Sequence, residues 1–95
     1  MSSKFDVFQE VYDIVVDRKN NPKEGSYTNY LLTKGLDKIL KKVGEEASEV
    51  IIGSKNENKD EIRYEVADLI YHLTVLMVHQ GLTWDDICEE LQKRR

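Results

Sequence analysis

The 95-residue sequence has a single cysteine, Cys88, a single proline, Pro22, and only five glycines. One cysteine permits no intrachain disulfide and, without thiolate partners, no cysteine-ligated zinc site; a reducing cytoplasm suits such a chain. Scarce proline and glycine leave few breaks in regular structure. No segment approaches the roughly 20 apolar residues needed to span a bilayer, so no membrane partner is expected. The N-terminal stretch MSSKFDVFQEV has no apolar run followed by a cleavage site. Basic residues are in deficit too: 14 Lys and Arg face 18 Asp and Glu, for a formal charge of −4. Without a basic tail, that balance argues against nucleic acid, whose binders concentrate Lys and Arg in one footprint.

What is present points to helix. The chain is 40% hydrophobic and 34% charged, as expected of a soluble protein whose amphipathic helices keep one wet face. Ala, Leu, Glu, Lys and Ile dominate the periodic stretches, which predicts an all-α fold, a helical bundle in one domain spanning residues 1–95. A chain this short buries a small fraction of its surface, and pairing with a second copy would enlarge the core.

Phe5, Phe8, Val11, Tyr12 and Val15 recur at helical spacing, predicting a first helix from about Ser3 to Lys19. Asn20, Asn21 and Pro22 stop it, and the segment to Ser26 reads as a loop. Ser26, Tyr27 and Thr28 offer N-caps for a short helix through Leu31 and Leu32, which Gly35 ends or bends. Leu36, Ile39, Leu40, Val43, Ala47, Val50 and Ile51 form the stripe of a long helix to about Ser54, weakened near its end by Gly53. After a polar connection from Lys55 to Lys59, Asp60 is placed to cap a second long helix running to Gln80 and ended by Gly81. Ile62, Val66, Leu69, Leu73, Leu76 and Met77 are its apolar positions, and the two long helices should form a hairpin. Thr83, followed by Trp84, Asp85 and Asp86, caps a short last helix.

The chemistry resides in acids. Glu45, Glu46 and Glu49 lie on the first long helix and Glu65 and Asp68 on the second, spaced three or four apart so that each set shares a face. A returning helix brings the two sets together. Like charges at this spacing need open solvent or a cation to offset their repulsion. Magnesium is the natural cation, because it takes oxygen ligands, keeps several waters and binds carboxylates together with substrate phosphates. Zinc would more often recruit His or Cys. The expected chemistry is phosphoanhydride hydrolysis by activated water, with solvated helix faces as the ordinary alternative.

Lys38, Lys41 and Lys42 precede the acids by one to two turns and are candidates for phosphate binding; the alternative is Lys–Glu pairing along an exposed face, and Lys34 is a weaker candidate. His72, four residues beyond Asp68, either contacts a ligand carboxylate or substrate, or is a satisfied interfacial histidine. Tyr27, Thr28 and Tyr30 carry hydroxyls suited to a nucleotide, whereas Tyr71 and Trp84 read as packing residues. His79 reads as structural, and Cys88 as a small buried or half-buried residue.

Two stretches, SYTNYLLTKGLDKILKKVGEEASEVIIGSKN and EVADLIYHLTVLMVHQGLTWDDI, resemble the phosphoribosyl-ATP pyrophosphohydrolase family over nearly the whole chain. The E-E-x-x-E and E-x-x-D elements are also similar to the wider MazG-type all-α nucleoside triphosphate pyrophosphohydrolases. S-Y-T, K-x-x-K-K-V-G-E-E and A-D-L-x-Y-H-L are closer to the histidine-pathway branch. The resemblance implies hydrolysis between the α and β phosphates of 1-(5-phosphoribosyl)-ATP with magnesium as cofactor. Glu46, Glu49, Glu65 and Asp68 match the family's metal-binding acids, and Glu45 is either a further ligand or the group that positions water. It further implies a homodimer whose helices complete a MazG-like bundle across the subunit boundary. A phosphoribosyl-AMP cyclohydrolase domain, fused to this activity in many organisms, finds no room or metal-site residues in this sequence, so the stand-alone form is expected.

Two rivals differ in class or substrate. A house-cleaning pyrophosphohydrolase of ordinary or damaged nucleoside triphosphates would use the same metal chemistry with other base contacts. A non-catalytic helical dimerisation module would carry the acidic stripe without binding magnesium.

Overall fold

The computed structural model describes residues 2–95, which form five α-helices: α1 (Asp6–Asn20), α2 (Tyr27–Lys34), α3 (Leu36–Lys55), α4 (Lys59–Gln80) and α5 (Trp84–Gln92). There is no strand among the described residues, so the all-α expectation holds. No helix is long and apolar enough to cross a membrane. The α3–α4 hairpin is the largest helix–helix contact, with α1 laid against α4 and α2 wedged between α1 and the hairpin.

Helix ends follow local chemistry, with two shifts from expectation. α1 begins at Asp6 rather than Ser3, because Ser3 is spent on a preceding turn: its N–H donates to Asp6 Oδ2 at 2.9 Å and its carbonyl accepts from the Asp6 N–H at 3.0 Å. The cap of α4 is Asn58 and not Asp60. Asn58, in extended backbone, accepts from the Glu61 N–H at 3.1 Å, while Asp60 lies inside the first turn and pairs with Arg63. Ser26 caps α2 as expected, accepting from the Asn29 N–H.

Two glycines end or separate helices in backbone that L side chains rarely adopt, Gly35 at φ 92° between α2 and α3 and Gly81 at φ 76° after α4. Past Gly81 the Leu82 N–H reaches back to the Met77 carbonyl at 2.9 Å, closing α4. Thr83 and Asp86 then form a reciprocal capping box for α5. Trp84 ties α5 to α1: its indole N–H donates to the Phe8 carbonyl at 3.0 Å and its ring meets Phe8 edge-on at 5.2 Å. The Tyr12 hydroxyl adds a second tie, donating to the Leu82 carbonyl at 2.8 Å.

The core is small. Val15, Leu31, Ile39, Val75 and Val78, one or two from each of the first four helices, are fully or almost fully buried. Tyr12, Val16, Leu32, Tyr71 and Leu76 pack around them. Several stripe positions instead face outward in a single copy: Phe5, Leu36, Leu40, Ile51 and Val66 are exposed. Val7, Ile14, Ile52 and Tyr64 are also more than half exposed. Cys88, expected to be at least half-buried, is exposed, because α5 presents Trp84 and Ile87 rather than Cys88 to the bundle.

Candidate active site

The hairpin does what the acid spacing requires. Glu46 on α3 faces Asp68 and His72 on α4, and one donor atom from each of the three lies within 4.8 Å of the others. Glu46 and His72 are buried, and Asp68 is half-buried at the rim. Placing a carboxylate among packed helices is costly unless it is paired or meets a cation. Part of that compensation comes from Lys42 on the preceding turn, whose amine sits 3.5 Å from Glu46 Oε1 and 3.2 Å from Glu45 Oε2. The Lys42 amine is held above its ordinary pKa: desolvation pulls it down, but the hydrogen bond to Glu45 and the surrounding negative charge outweigh that.

The state of His72 follows from its partners. Nδ1 lies 2.8 Å from the Asp68 backbone carbonyl, which can only accept, so Nδ1 carries the proton. Nε2 is hydrogen-bonded to the Tyr27 hydroxyl at 2.9 Å. Both ring nitrogens are therefore engaged. His72 holds Tyr27 against the acid cluster, and the oxygen donors of Glu46 and Asp68 remain for a cation.

Glu65 joins this face from the turn before Asp68. Its carboxyl is held above the ordinary value first by desolvation, then by the charges of Glu49, Glu46 and Asp68. Acids of α3 and α4 thus crowd one another across the hairpin. The Tyr27 hydroxyl is raised by burial, opposed by Lys42 and reinforced by Tyr71, Asp68 and Glu46, as fits a phenol at the edge of the cluster.

The remaining candidates divide. Glu45 and Glu49 are exposed beside Glu46, with Glu45 bonded to Lys42. Lys41 is exposed and, among the described residues, forms no ion pair, and Lys38 instead places its amine 5.6 Å from the centre of the Tyr30 ring. Thr28 turns inward: it is buried and its hydroxyl is hydrogen-bonded to the Tyr71 hydroxyl, so it braces α2 against α4. That bond also raises Tyr71 above a plain packing residue. Burial pushes its phenol up, with the Thr28 bond acting in the opposite direction.

Asn29 went unrecognised in the sequence. Its side chain accepts from the Lys23 N–H at 2.8 Å and donates to the Arg18 carbonyl at 2.6 Å, pinning the loop between α1 and α2 to both its ends. The available signal was an asparagine in a short helix, where its side chain competes with backbone hydrogen bonds unless occupied elsewhere.

Fold and site together define a class: an all-α protein whose helical hairpin converges carboxylates, a lysine and a tyrosine–histidine pair on a cation-competent face. Residues 8–95 match the phosphoribosyl-ATP pyrophosphohydrolase family, and the chain belongs to that family. It is 67% identical over 86 residues to phosphoribosyl-ATP pyrophosphatase of Limosilactobacillus fermentum, covering 90% of this chain and 81% of the relative. With the Clostridium novyi phosphoribosyl-ATP pyrophosphatase it shares 59% identity over 90 residues, 95% of this chain and 82% of the relative. The histidine biosynthesis bifunctional protein HisIE of Thermoanaerobacter pseudethanolicus is 69% identical over 84 residues, 88% of this chain, which spans 39% of that longer protein.

Proposed function

We propose that the chain hydrolyses the α–β phosphoanhydride of 1-(5-phosphoribosyl)-ATP, releasing pyrophosphate and phosphoribosyl-AMP in the second step of histidine biosynthesis in the cytoplasm. The convergence of Glu46 and Asp68 across the α3–α4 hairpin carries this reading, and membership of the family over residues 8–95 supports the substrate. Residues 1–95 act as one unit in it.

Magnesium is the cofactor that suits the donors. Glu46 and Asp68 offer oxygens, with Glu49 and Glu65 beside them, while the His72 nitrogens are already bonded. Bound there, the ion supplies charge neutralisation for phosphate oxygens and makes water more acidic. The chain's own groups supply the rest. The Lys42 amine sits where phosphate oxygens approach the acids, and Tyr27, held by His72, closes one side of the site. Glu45, bonded to Lys42, acts either as a further ligand or as the group that positions the attacking water.

The working form is a homodimer. An apolar depression of about 240 Å³ between α1 and α4, lined by Val7, Phe8, Val11, Ala67 and Ile70, has no cover within one copy. A chain with so small a core gains from burying it.

The test is pyrophosphate release from phosphoribosyl-ATP by purified protein, with and without magnesium, beside a panel of nucleoside triphosphates. Magnesium-dependent release from phosphoribosyl-ATP alone is expected. Release from the panel instead would favour a house-cleaning enzyme, and no release from any substrate would leave a non-catalytic dimerisation module.

A further inference from the structure

The loop before α2 builds a second, chemically different surface. An open groove of about 700 Å³ runs between this loop and the outer face of α2, with Lys23, Glu24, Gly25, Tyr27, Tyr30 and Lys34 among its walls. Its floor is aromatic: the rings of Tyr27 and Tyr30 stack with centroids 6.2 Å apart, their planes 22° from parallel. Two ammonium groups gather on one of those rings, Lys34 at 5.8 Å and Lys38 at 5.6 Å from the centre of Tyr30. Among the described residues no carboxylate lies within 4.0 Å of the amine of Lys23, Lys34 or Lys38. In a chain with a formal charge of −4, unpaired lysines collected over a tyrosine form a local cationic patch.

This groove adjoins the acid cluster through one residue. Tyr27 lines the groove, and its hydroxyl is hydrogen-bonded to His72 beside Glu46 and Asp68. The substrate proposed above has matching ends: a triphosphate on one ribose and a phosphate monoester on the other, with the purine between. A carboxylate site that takes the triphosphate through a cation repels a bare monoester. Lysines with an aromatic floor attract it, since ammonium groups bind phosphate and a tyrosine face accepts a sugar or base edge.

We infer that the groove between the Pro22–Ser26 loop and α2 binds the ribose-5-phosphate end of the substrate, with Lys23 and Lys34 on the phosphate and Tyr30 beneath the sugar. The assignment rests on the activity proposed above for its substrate, and on the groove alone for its ligand chemistry. Lys38, in the first turn of α3, adds positive charge beside the groove over the same Tyr30 ring. Selectivity against ordinary nucleoside triphosphates follows, because they lack the second phosphate and leave the lysines unanswered.

The probe is ribose 5-phosphate titrated into isotope-labelled full-length protein, followed by amide chemical shifts, for the wild type and for Lys34→Gln and Lys23→Gln/Lys34→Gln. Saturable shifts at Gly25, Tyr30 and Lys34 are expected, with affinity about tenfold weaker in Lys34→Gln, as for loss of one charged hydrogen bond. Ribose alone should produce no saturable shift. Absence of saturation, shifts confined to Glu46 and Asp68, or equal affinity in both variants would overturn the assignment. Hydrolysis of phosphoribosyl-ATP is measured on the same samples. Hydrolysis without groove binding overturns the groove, whereas groove binding without hydrolysis upholds it and removes the proposed activity.

Discussion

The Tyr27 hydroxyl is hydrogen-bonded to Nε2 of His72 across 2.9 Å, joining the start of α2 to the middle of α4 beside the buried Glu46. His72 is only 2% exposed, so Tyr27 answers a ring nitrogen that water reaches poorly. Tyr27→Phe keeps the ring and removes the hydroxyl. It should cost about 1 kcal/mol, lowering Tm by about 4–8 °C for a domain of this size. Circular dichroism melts of the two proteins measure it; an unchanged Tm would show that the hydroxyl does not stabilise the fold.

Glu46→Gln and Asp68→Asn each remove one negative oxygen donor while preserving shape. Each should lower kcat/KM for phosphoribosyl-ATP roughly a hundredfold or more, with melting curves close to wild type. In Glu46→Gln the Lys42 amine keeps Glu45 at 3.2 Å, so no unpaired cation is left behind. Full activity in either variant would move the metal site elsewhere.

The raised carboxyl of Glu65 has a definite sign in stability. A folded-state value above the ordinary 4.5 means the folded protein holds that proton more tightly than the unfolded chain does. The associated stability is present below 4.5 and is lost as pH rises through the raised folded value. In metal-free protein, Glu65→Gln should therefore raise Tm at neutral pH and leave it unchanged in acid below that value. Magnesium should narrow the neutral-pH gap. Melts across pH with a chelator present decide it, and a Tm lowered at neutral pH would contradict the crowding of acids.

Ala67 lies exposed in the apolar depression shared by α1 and α4. Ala67→Glu costs a lone copy little, because the new carboxylate stays in water, but would bury a charge if a second copy covers that depression. Sedimentation velocity should show a dimer for the wild type and a monomer for the variant. A dimer in both would place the subunit contact on another face.

Much of the molecule was legible because helix ends and stripes are local. Ser26, Gly81 and Thr83 act where their side chain or its absence acts on neighbouring backbone. The same locality misled at Asn58 and Asp60: both are good caps two residues apart, and the point where the returning chain turns helical chose Asn58. Acid spacing announced that Glu45, Glu46, Glu49, Glu65 and Asp68 share faces, but not that Glu46 alone is buried among them. Nothing in the spacing showed Thr28 turning toward Tyr71 or Asn29 gripping Arg18 and Lys23, since those partners meet only after α2 packs.

The sequence by itself determined the all-helical class, the hairpin and the two sets of acids, because helical periodicity and capping operate within a few residues of chain. Tertiary structure alone decided the rest. The register of α4 against α3 set Glu46 opposite Asp68, and the seating of α2 brought Tyr27 to His72. Those relationships depend on contacts between elements distant in the chain, and their distances are set by how side chains fill the shared core.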